Sequence, residues 1–308
     1  MLASFQFVGT QVFVLFLLVG VGYAARKLGF LTEAAVRSIT NLMLYIITPC
    51  MLINAFQRPF ELSLLRGFLI AVATALGVHL LVFPLSRLLI RDGDRSRRCV
   101  LRFGASFANC GYMGLPLLQS LFGSEAVFYG APYNALFTVL IWTHGLALMC
   151  GGKEKISLKK AFVNPGTISV AIGLVLFFAS GTLPTLIAKP VEYLASLNTP
   201  VPMLIIGYYL GDLDVRAVFA KKNSFIMLGI RLVLMPLLTL GILWLLGIRG
   251  TLLVSCIVCA AAPVATMCTM FATKYEQNPA LSAGIVAVST LCSVLTMTLV
   301  VGLANAVA

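Results

Sequence analysis

The sequence predicts an all-α integral membrane protein in which ten transmembrane helices form an inverted repeat of five plus five. Three observations lead to this fold class. Of the 308 residues, 60% are hydrophobic and 10% are charged, with a mean hydropathy of +1.02, whereas soluble domains carry about 25% charged residues. Apolar stretches of membrane-spanning length recur along the whole chain. Two of these stretches, one in each half, are interrupted by proline and small residues.

A membrane-spanning helix needs about 20 apolar residues, and this length divides the chain into ten segments. The first segment is interpreted as a membrane helix and not as a cleaved signal, because residues 1–22 lack a basic start and no Ala-x-Ala-like site precedes Arg26. In order, the predicted segments cover about residues 7–25, 35–56, 63–89, 99–122, 126–150, 165–181, 188–210, 224–247, 251–273 and 278–304.

Lysine and arginine predict which side of the membrane each connection faces, because cytoplasmic connections carry the excess of these residues. With the N terminus outside, the cytoplasmic connections hold 17 of the 22 cations, the outer connections hold four, and Arg231 lies inside a segment. We therefore expect a multi-pass protein of the inner (plasma) membrane with both termini on the outer, periplasmic side. The net charge of +12 is then explained by the membrane surface, and no nucleic-acid partner is expected.

Each half of the chain contains five segments, and the two halves share weak sequence features. The pair Thr48-Pro49 in segment two resembles Thr199-Pro200 in segment seven, and segments four and nine are both broken. An odd number of spans per half turns the second copy upside down, which is the plan of many secondary transporters. The expected division is a first repeat at residues 1–150, a cytoplasmic linker at 151–164 and a second, inverted repeat at 165–308.

Segment four contains the strongest local signal, the stretch Gly-Ala-Ser-Phe-Ala-Asn-Cys-Gly-Tyr-Met-Gly-Leu-Pro over residues 104–116. Each glycine weakens a helix by about 1 kcal/mol relative to Ala, and a proline by about 3 kcal/mol. Pro116 also removes an N–H and clashes with the carbonyl of Tyr112. We therefore expect the helix to break here, and a second break is expected in segment nine around residues 262–266.

If the two breaks cross near the middle of the membrane, the N-termini of the half-helices offer partial positive charge to a carboxylate. The alternative is that the glycines only allow close helix packing. Asn134 in segment five is placed to face the same crossing. The residues predicted to bind substrate are Asn109, Cys110, Gly111, Gly114, Pro116, Asn134, Pro263 and Thr266.

Charged residues inside the segments narrow the chemistry further. All ten carboxylates lie near segment ends, which argues against a carboxylate-based proton relay or sodium site, although Asp212 and Asp214 lie close to a segment. Arg231 is the one embedded cation. It faces either the cavity, where it would attract an anionic substrate, or the cytoplasmic surface, which its long side chain would reach by snorkelling.

Three further groups of polar residues have two interpretations each. His79 and His144 are candidates for carrying a coupling proton, or they are hydrogen-bonded packing residues. Ser289, Thr290 and Ser293 in segment ten either line the cavity or hydrogen-bond to the carbonyls of their own helix.

The Cys256-x-x-Cys259 pair has no second cysteine pair, so it is interpreted as small core residues. No metal site, cofactor or catalytic residue is predicted.

Several motifs together carry a family resemblance. They are Asn41-Leu42-Met43-Leu44-Tyr45-Ile46-Ile47-Thr48-Pro49, Asn109-x-Gly111-x-x-Gly114-x-Pro116, Arg231-x-x-x-x-Pro236, Pro263 followed by Phe271-Ala272-x-x-Tyr275, and Ser289-Thr290-x-x-Ser293. In order and spacing they resemble the auxin efflux carrier family, whose members include the plant PIN transporters and bacterial carriers of malonate, malate or other organic acids. The resemblance covers essentially the whole chain, but the long cytoplasmic loop of many plant members is replaced by a short middle connection.

The resemblance implies a fold similar to that of the bile acid–sodium symporters. Segments one, two, six and seven would form a scaffold that makes a homodimer through segments two and seven. Segments three to five and eight to ten would form a moving transport domain, with substrate near Asn109, Gly111, Pro116 and Pro263 and elevator-like alternating access. Sodium-coupled relatives of this fold use an acidic residue on the ninth segment, and residues 251–273 contain none, which argues against sodium coupling.

The predicted function is therefore secondary transport of a small organic carboxylate, malonate-like, malate-like or auxin-like, by elevator-type alternating access. The alternative is a sodium- or proton-coupled symporter of another small solute in the same fold. An enzyme is not expected, because no H-E-x-x-H or G-x-S-x-G motif and no paired intramembrane acids occur. The expected partners are a small organic anion, the lipid bilayer and a second copy of the chain.

Overall fold

A computed structural model of the protein describes residues 2–150, 163–211, 218 and 222–308. These residues form helices and no strand, apart from one isolated bridge between Ala108 and Val264. The helices are α1 (Leu2–Lys27), α2 (Glu33–Phe56), α3 (Leu62–Leu89), α4 (Arg95–Ser106), α5 (110–122), α6 (124–150), α7 (Pro165–Phe178), α8 (Thr185–Ser196), α9 (Pro200–Leu210), α10 (Lys222–Leu245), α11 (Gly250–Ala261), α12 (Met267–Lys274) and α13 (Pro279–Val307).

The described part of the chain contains six helices that are long and apolar enough to cross a membrane. They lie at Phe5–Lys27, Glu33–Phe56, Leu62–Leu89, Cys110–Cys150, Lys222–Leu245 and Pro279–Val307. The fourth range contains two helices, α5 and α6. Gly123 separates them, because its φ of 65° and ψ of −152° are not helical. The helical membrane-protein class is confirmed, while the count of ten spans stays a prediction.

Individual segment boundaries agree closely with the sequence in some places and not in others. Segments two, three, eight and ten match α2, α3, α10 and α13 to within three residues at each end. Segment seven, predicted as one span, is instead two helices, α8 and α9, because Pro200 has no N–H to continue the helix. The interruption lets Asn198, next to the Thr199-Pro200 pair, accept a hydrogen bond of 2.9 Å from Thr48 Oγ1 of the similar pair in α2.

Segment four is broken, but Pro116 is not where it breaks. The interruption lies at residues 107–109, and Pro116 lies in the first turn after a wide π turn, Cys110–Gly114, in which the Leu115 amide donates to the Cys110 carbonyl. A π turn shifts the hydrogen-bond partner by one residue, which accommodates the missing N–H. The same arrangement precedes Pro49 and Pro236.

The interior of the protein is built around α11. All of its residues from Leu253 to Ala261 are buried, as expected for a helix that is hydrophobic on every side, and it packs against α6 and α13. At the periphery α1 packs against α9 so closely that a Cβ on Gly22 would collide with the Leu204 carbonyl. The arrangement places both helix breaks in the buried centre of the molecule.

Candidate functional site

The two helix breaks predicted in segments four and nine lie side by side. Residues 107–109, between α4 and α5, run antiparallel to residues 263–265, between α11 and α12. The Asn109 amide donates to the Pro263 carbonyl at 2.7 Å, and a second backbone hydrogen bond of 3.0 Å closes the pair. The two breaks therefore meet, and backbone groups that a continuous helix would satisfy internally find their partners across the crossing.

Four helix ends meet at this crossing, two of them N-termini. Asn109 is the N-cap residue of α5, and Thr266 is the N-cap residue of α12. Asn and Thr usually cap a helix by accepting a bond from an N–H of its first turn, yet neither side chain does so here. The Nδ2 of Asn109 is buried without a hydrogen-bond partner. Both N-termini therefore keep N–H groups with partial positive charge available for a ligand.

The remaining residues predicted for the site surround Asn109. The Cys110 thiol donates to Asn134 Oδ1 at 3.5 Å, and a Cβ on Gly111 would lie 3.0 Å from the same oxygen. A Cβ on Gly114 would lie 3.7 Å from the backbone of α11. The structure thus gathers Asn109, Cys110, Gly111, Asn134, Pro263 and Thr266 at the crossing, with Gly114 against α11, while Pro116 is buried further along α5.

Arg231 is turned into the protein, so the snorkelling alternative is wrong. The residue is 1% exposed, and its Nη2 donates to the carbonyl of Ala260 in the last turn of α11. Its Nε is buried without a partner. Among the described residues no carboxylate forms a salt bridge with it. The guanidinium therefore covers the negative end of α11 and still carries an unpaired donor.

The polar stripe of α13 is buried, and a cavity-lining role for it stays a prediction. Ser289, Thr290 and Ser293 are each at most 1% exposed. All three hydroxyls donate to carbonyls of their own helix. Ser289 also accepts a hydrogen bond of 3.1 Å from the Val264 amide. Its role is to hold the second break in place.

The two histidines flank an aromatic cluster beside the crossing. His79 is 2% exposed, and its Nδ1 donates to the Ala75 carbonyl at 2.7 Å, since a carbonyl can only accept. The His144 ring stacks on Phe83 at 3.8 Å, and both of its ring nitrogens are buried without a partner. Both rings also approach Phe107, one of the residues in the first break. A role in proton coupling stays a prediction for both.

Two contributors to the site were not predicted from the sequence. The Ala260 carbonyl holds Arg231, but a backbone group leaves no mark in the residue pattern. Cys259 lies under both Gly114 and Gly130, where an added Cβ would come within 3.8 and 3.6 Å of its sulfur. Cys259 was interpreted only as a core residue. The small residues on α5 and α6 were the sequence feature that could have indicated a close helix contact here.

Comparisons with known proteins find relatives that are described as membrane transporters. A family model described as membrane transport protein matches residues 7–158 and 153–301. An uncharacterized transporter of Methanothermobacter thermautotrophicus is 26% identical over 294 residues, covering 92% of this chain and 93% of the relative. An uncharacterized transporter of Methanocaldococcus jannaschii is 24% identical over 300 residues, with coverages of 94% and 96%. Auxin efflux carrier component 8 of Arabidopsis thaliana is 27% identical over 143 residues, which are 44% of this chain and 39% of the plant protein.

Proposed function

The chain belongs to the membrane transport protein family, which includes the auxin efflux carriers, and we propose that it is a secondary transporter of a small organic carboxylate. The proposed substrates are malonate-like, malate-like or auxin-like acids. The observation that carries the proposal is Arg231, a fully buried cation with no acidic partner among the described residues. Burying an unpaired charge is costly, and a bound carboxylate would supply the missing counter-ion.

The helix ends at the crossing support the same substrate class. The negative C-terminus of α11 is already covered by the Arg231 guanidinium, whereas the positive N-termini of α5 and α12 lack side-chain caps. The balance of partial charges at the crossing is therefore positive. Together with the unpartnered Nδ2 of Asn109, this environment favours an anion over an amine or a cation.

The mode of transport is part of the proposal. The breaks between α4 and α5 and between α11 and α12 occupy corresponding places in the two halves, which supports ten spans in an inverted five-plus-five repeat. In this arrangement α1, α2 and α7–α9 are the scaffold, and α3–α6 and α10–α13 are the elevator. The scaffold would pair with a second copy through α2, α8 and α9. The loop charges support an inner-membrane orientation with both termini outside.

Ligand-induced stabilisation of the purified protein tests the substrate class. The chain in detergent is heated with malonate, malate and indole-3-acetate, and separately with the corresponding neutral amides and with amines. We expect at least one acid to raise the melting temperature, because a ligand that binds only the folded state stabilises it by about 2.7 kcal/mol at 100 times its Kd. Stabilisation by the amides or amines alone would exclude the proposed class.

Asn109→Ala tests the site itself. Losing a hydrogen bond to a charged group costs about 1.5–3 kcal/mol, so we expect affinity for the stabilising acid to fall about tenfold to a hundredfold. The melting temperature without ligand should change little, because the Nδ2 of Asn109 has no partner to lose. Asn41→Ala, an exposed position on α2, is the matched control. Unchanged affinity in Asn109→Ala would contradict the proposed site.

A further inference from the structure

Two neighbouring cavities lie at the C-terminal end of α3, and His144 of α6 also lines the first of them. The first has a volume of about 790 Å³ and is lined mainly by apolar residues of α3. The second has a volume of about 540 Å³ and is lined by the connection to α4 and by the first turns of α4. Arg91 lines both. The pair therefore forms one elongated site with an apolar end and a basic end.

The apolar end follows one stripe of α3. Leu81, Leu85 and Leu88 recur at the spacing of one helix face and line the cavity together with Phe83. Leu81 is 47% exposed and Leu88 is 57% exposed. In a membrane protein such a stripe faces hydrocarbon, and it offers an apolar surface to an acyl chain.

The basic end carries several positive charges and one acid. Arg98 donates to the Asp92 carbonyl at 2.6 Å, and Arg102 donates to the Ile90 carbonyl at 3.1 and 3.2 Å. These bonds hold the guanidinium groups in place without neutralising them, since a carbonyl carries no net charge. Each guanidinium has five N–H donors, so donors remain for another partner.

Asp92 is the one acid that lines this end, and the neighbouring Asp94 caps the start of α4. Asp92 accepts hydrogen bonds from Asn223 at 3.2 Å and from Arg97 at 3.4 Å. The cluster of Arg91, Arg98 and Arg102 is therefore left with an excess of positive charge. Arginines that only cap the end of α3 would account for one or two cations, but not for a cluster opening into an apolar groove.

We infer that this site binds one anionic phospholipid, with the phosphate among Arg91, Arg98 and Arg102 and an acyl chain along the α3 stripe. Guanidinium groups bind phosphate through paired N–H donors. Basic pockets at the membrane surface are suited to anionic headgroups. The adjoining apolar groove favours a lipid over a free phosphate, because a free anion gains nothing from it. The arginines and leucines that carry this inference are not among the residues of the helix crossing, so it stands whether or not the carboxylate proposal holds.

Melting of the delipidated full chain in detergent tests the inference. Phosphatidylglycerol, phosphatidylcholine with the same acyl chains, and inorganic phosphate are added at matched phosphate concentration. We expect phosphatidylglycerol alone to raise the melting temperature. An equal shift with phosphatidylcholine would overturn the charge recognition, and a full shift with inorganic phosphate would identify the site as one for a free anion.

Variants at each end of the site complete the test. In Arg91→Gln/Arg98→Gln we expect apparent affinity for phosphatidylglycerol to fall at least tenfold, whereas Arg37→Gln, an exposed arginine paired with Glu33 on α2, should match the unmodified chain. Leu81→Asn/Leu88→Asn changes only exposed positions, so it tests the acyl groove even if the arginine variant does not fold. Retained affinity in Leu81→Asn/Leu88→Asn, or in a folded arginine variant, would overturn the inference.

Discussion

At the scale of single residues, the buried charge of Arg231 is the most important feature of the proposed site. The residue is 1% exposed, its Nη2 is bound to the Ala260 carbonyl, and its Nε has no partner. The contact with the end of α11 offsets part of the cost of burial, because a cation is favourable at a helix C-terminus. It leaves the net charge in place, and that charge is what a carboxylate substrate would meet.

Replacing Arg231 by Gln tests its charge. The Gln side chain ends two bonds short of the Arg Nη2 and leaves the Ala260 carbonyl without this donor, so we expect a folded protein with a lower melting temperature. The charge is lost, so affinity for the stabilising carboxylate should fall at least tenfold, which corresponds to about 1.4 kcal/mol. Titration of the acid by thermal shift measures both. Full carboxylate affinity in folded Arg231→Gln would show that the residue acts only as a helix cap.

At the scale of elements, the decisive feature is that the two broken helices form backbone hydrogen bonds with each other at their breaks. The backbone of residues 107–109 pairs with that of residues 263–265. The Ser289 hydroxyl of α13 holds the second of these two segments by accepting a hydrogen bond from the Val264 amide. Interrupted backbone inside a membrane protein survives only with such partners. The small residues of α5 and α6 let α11 approach, and three prolines are accommodated by π turns instead of ending their helices.

Two adjacent residues of α13 provide a matched test of this support. Ser289→Ala removes the acceptor of the buried Val264 amide, so we expect a loss of about 1–3 kcal/mol of stability and weaker carboxylate binding. Thr290→Val removes only a bond to the Val286 carbonyl of the same helix, so its effect should stay below about 1 kcal/mol. Denaturant or thermal unfolding in detergent checks both. A larger effect for Thr290→Val than for Ser289→Ala would contradict the role assigned to Ser289.

At the scale of the whole molecule, two asymmetries define the protein. The ten predicted segments divide the charge unevenly between the two sets of connections, with 17 cations against four. Burial is uneven as well, since α11 is enclosed while α3 and α8 expose leucines such as Leu80 and Leu186, at 62% and 88%. The exposed apolar surface is what a bilayer or a second copy would cover, and the charge bias predicts how the molecule is oriented in that bilayer.

Cysteine labelling in intact cells tests the orientation. In a background in which all eight cysteines are replaced, single cysteines are introduced as Thr182→Cys, between α7 and α8, and Gly93→Cys, between α3 and α4. Both positions are exposed. We expect a membrane-impermeant maleimide to label Thr182→Cys directly and Gly93→Cys only after permeabilisation, because arginines flank Gly93. The reverse pattern would show that the molecule has the opposite orientation.

The sequence alone was sufficient for the features that depend on local composition and periodicity. Hydrophobic length predicted the membrane class and located α2, α3, α10 and α13 to within three residues. Glycine and proline located both broken segments, because helix propensity is a property of the residue itself. Asn109 followed from the same reasoning, since a polar amide in a broken apolar segment requires a hydrogen-bonding partner or a ligand.

Only the tertiary structure decided where segment four breaks and which partners the buried polar side chains contact. Pro116 was expected to break segment four, but the break is at residues 107–109, because a π turn accommodates the proline and the backbone pairing with residues 263–265 stabilises the break nearby. Whether Arg231 faced water or the interior, and which amide the Ser289 hydroxyl accepts from, depended on contacts between residues 29 and 25 positions apart. A one-dimensional pattern records which residues can form hydrogen bonds, whereas packing determines which partner each of them meets.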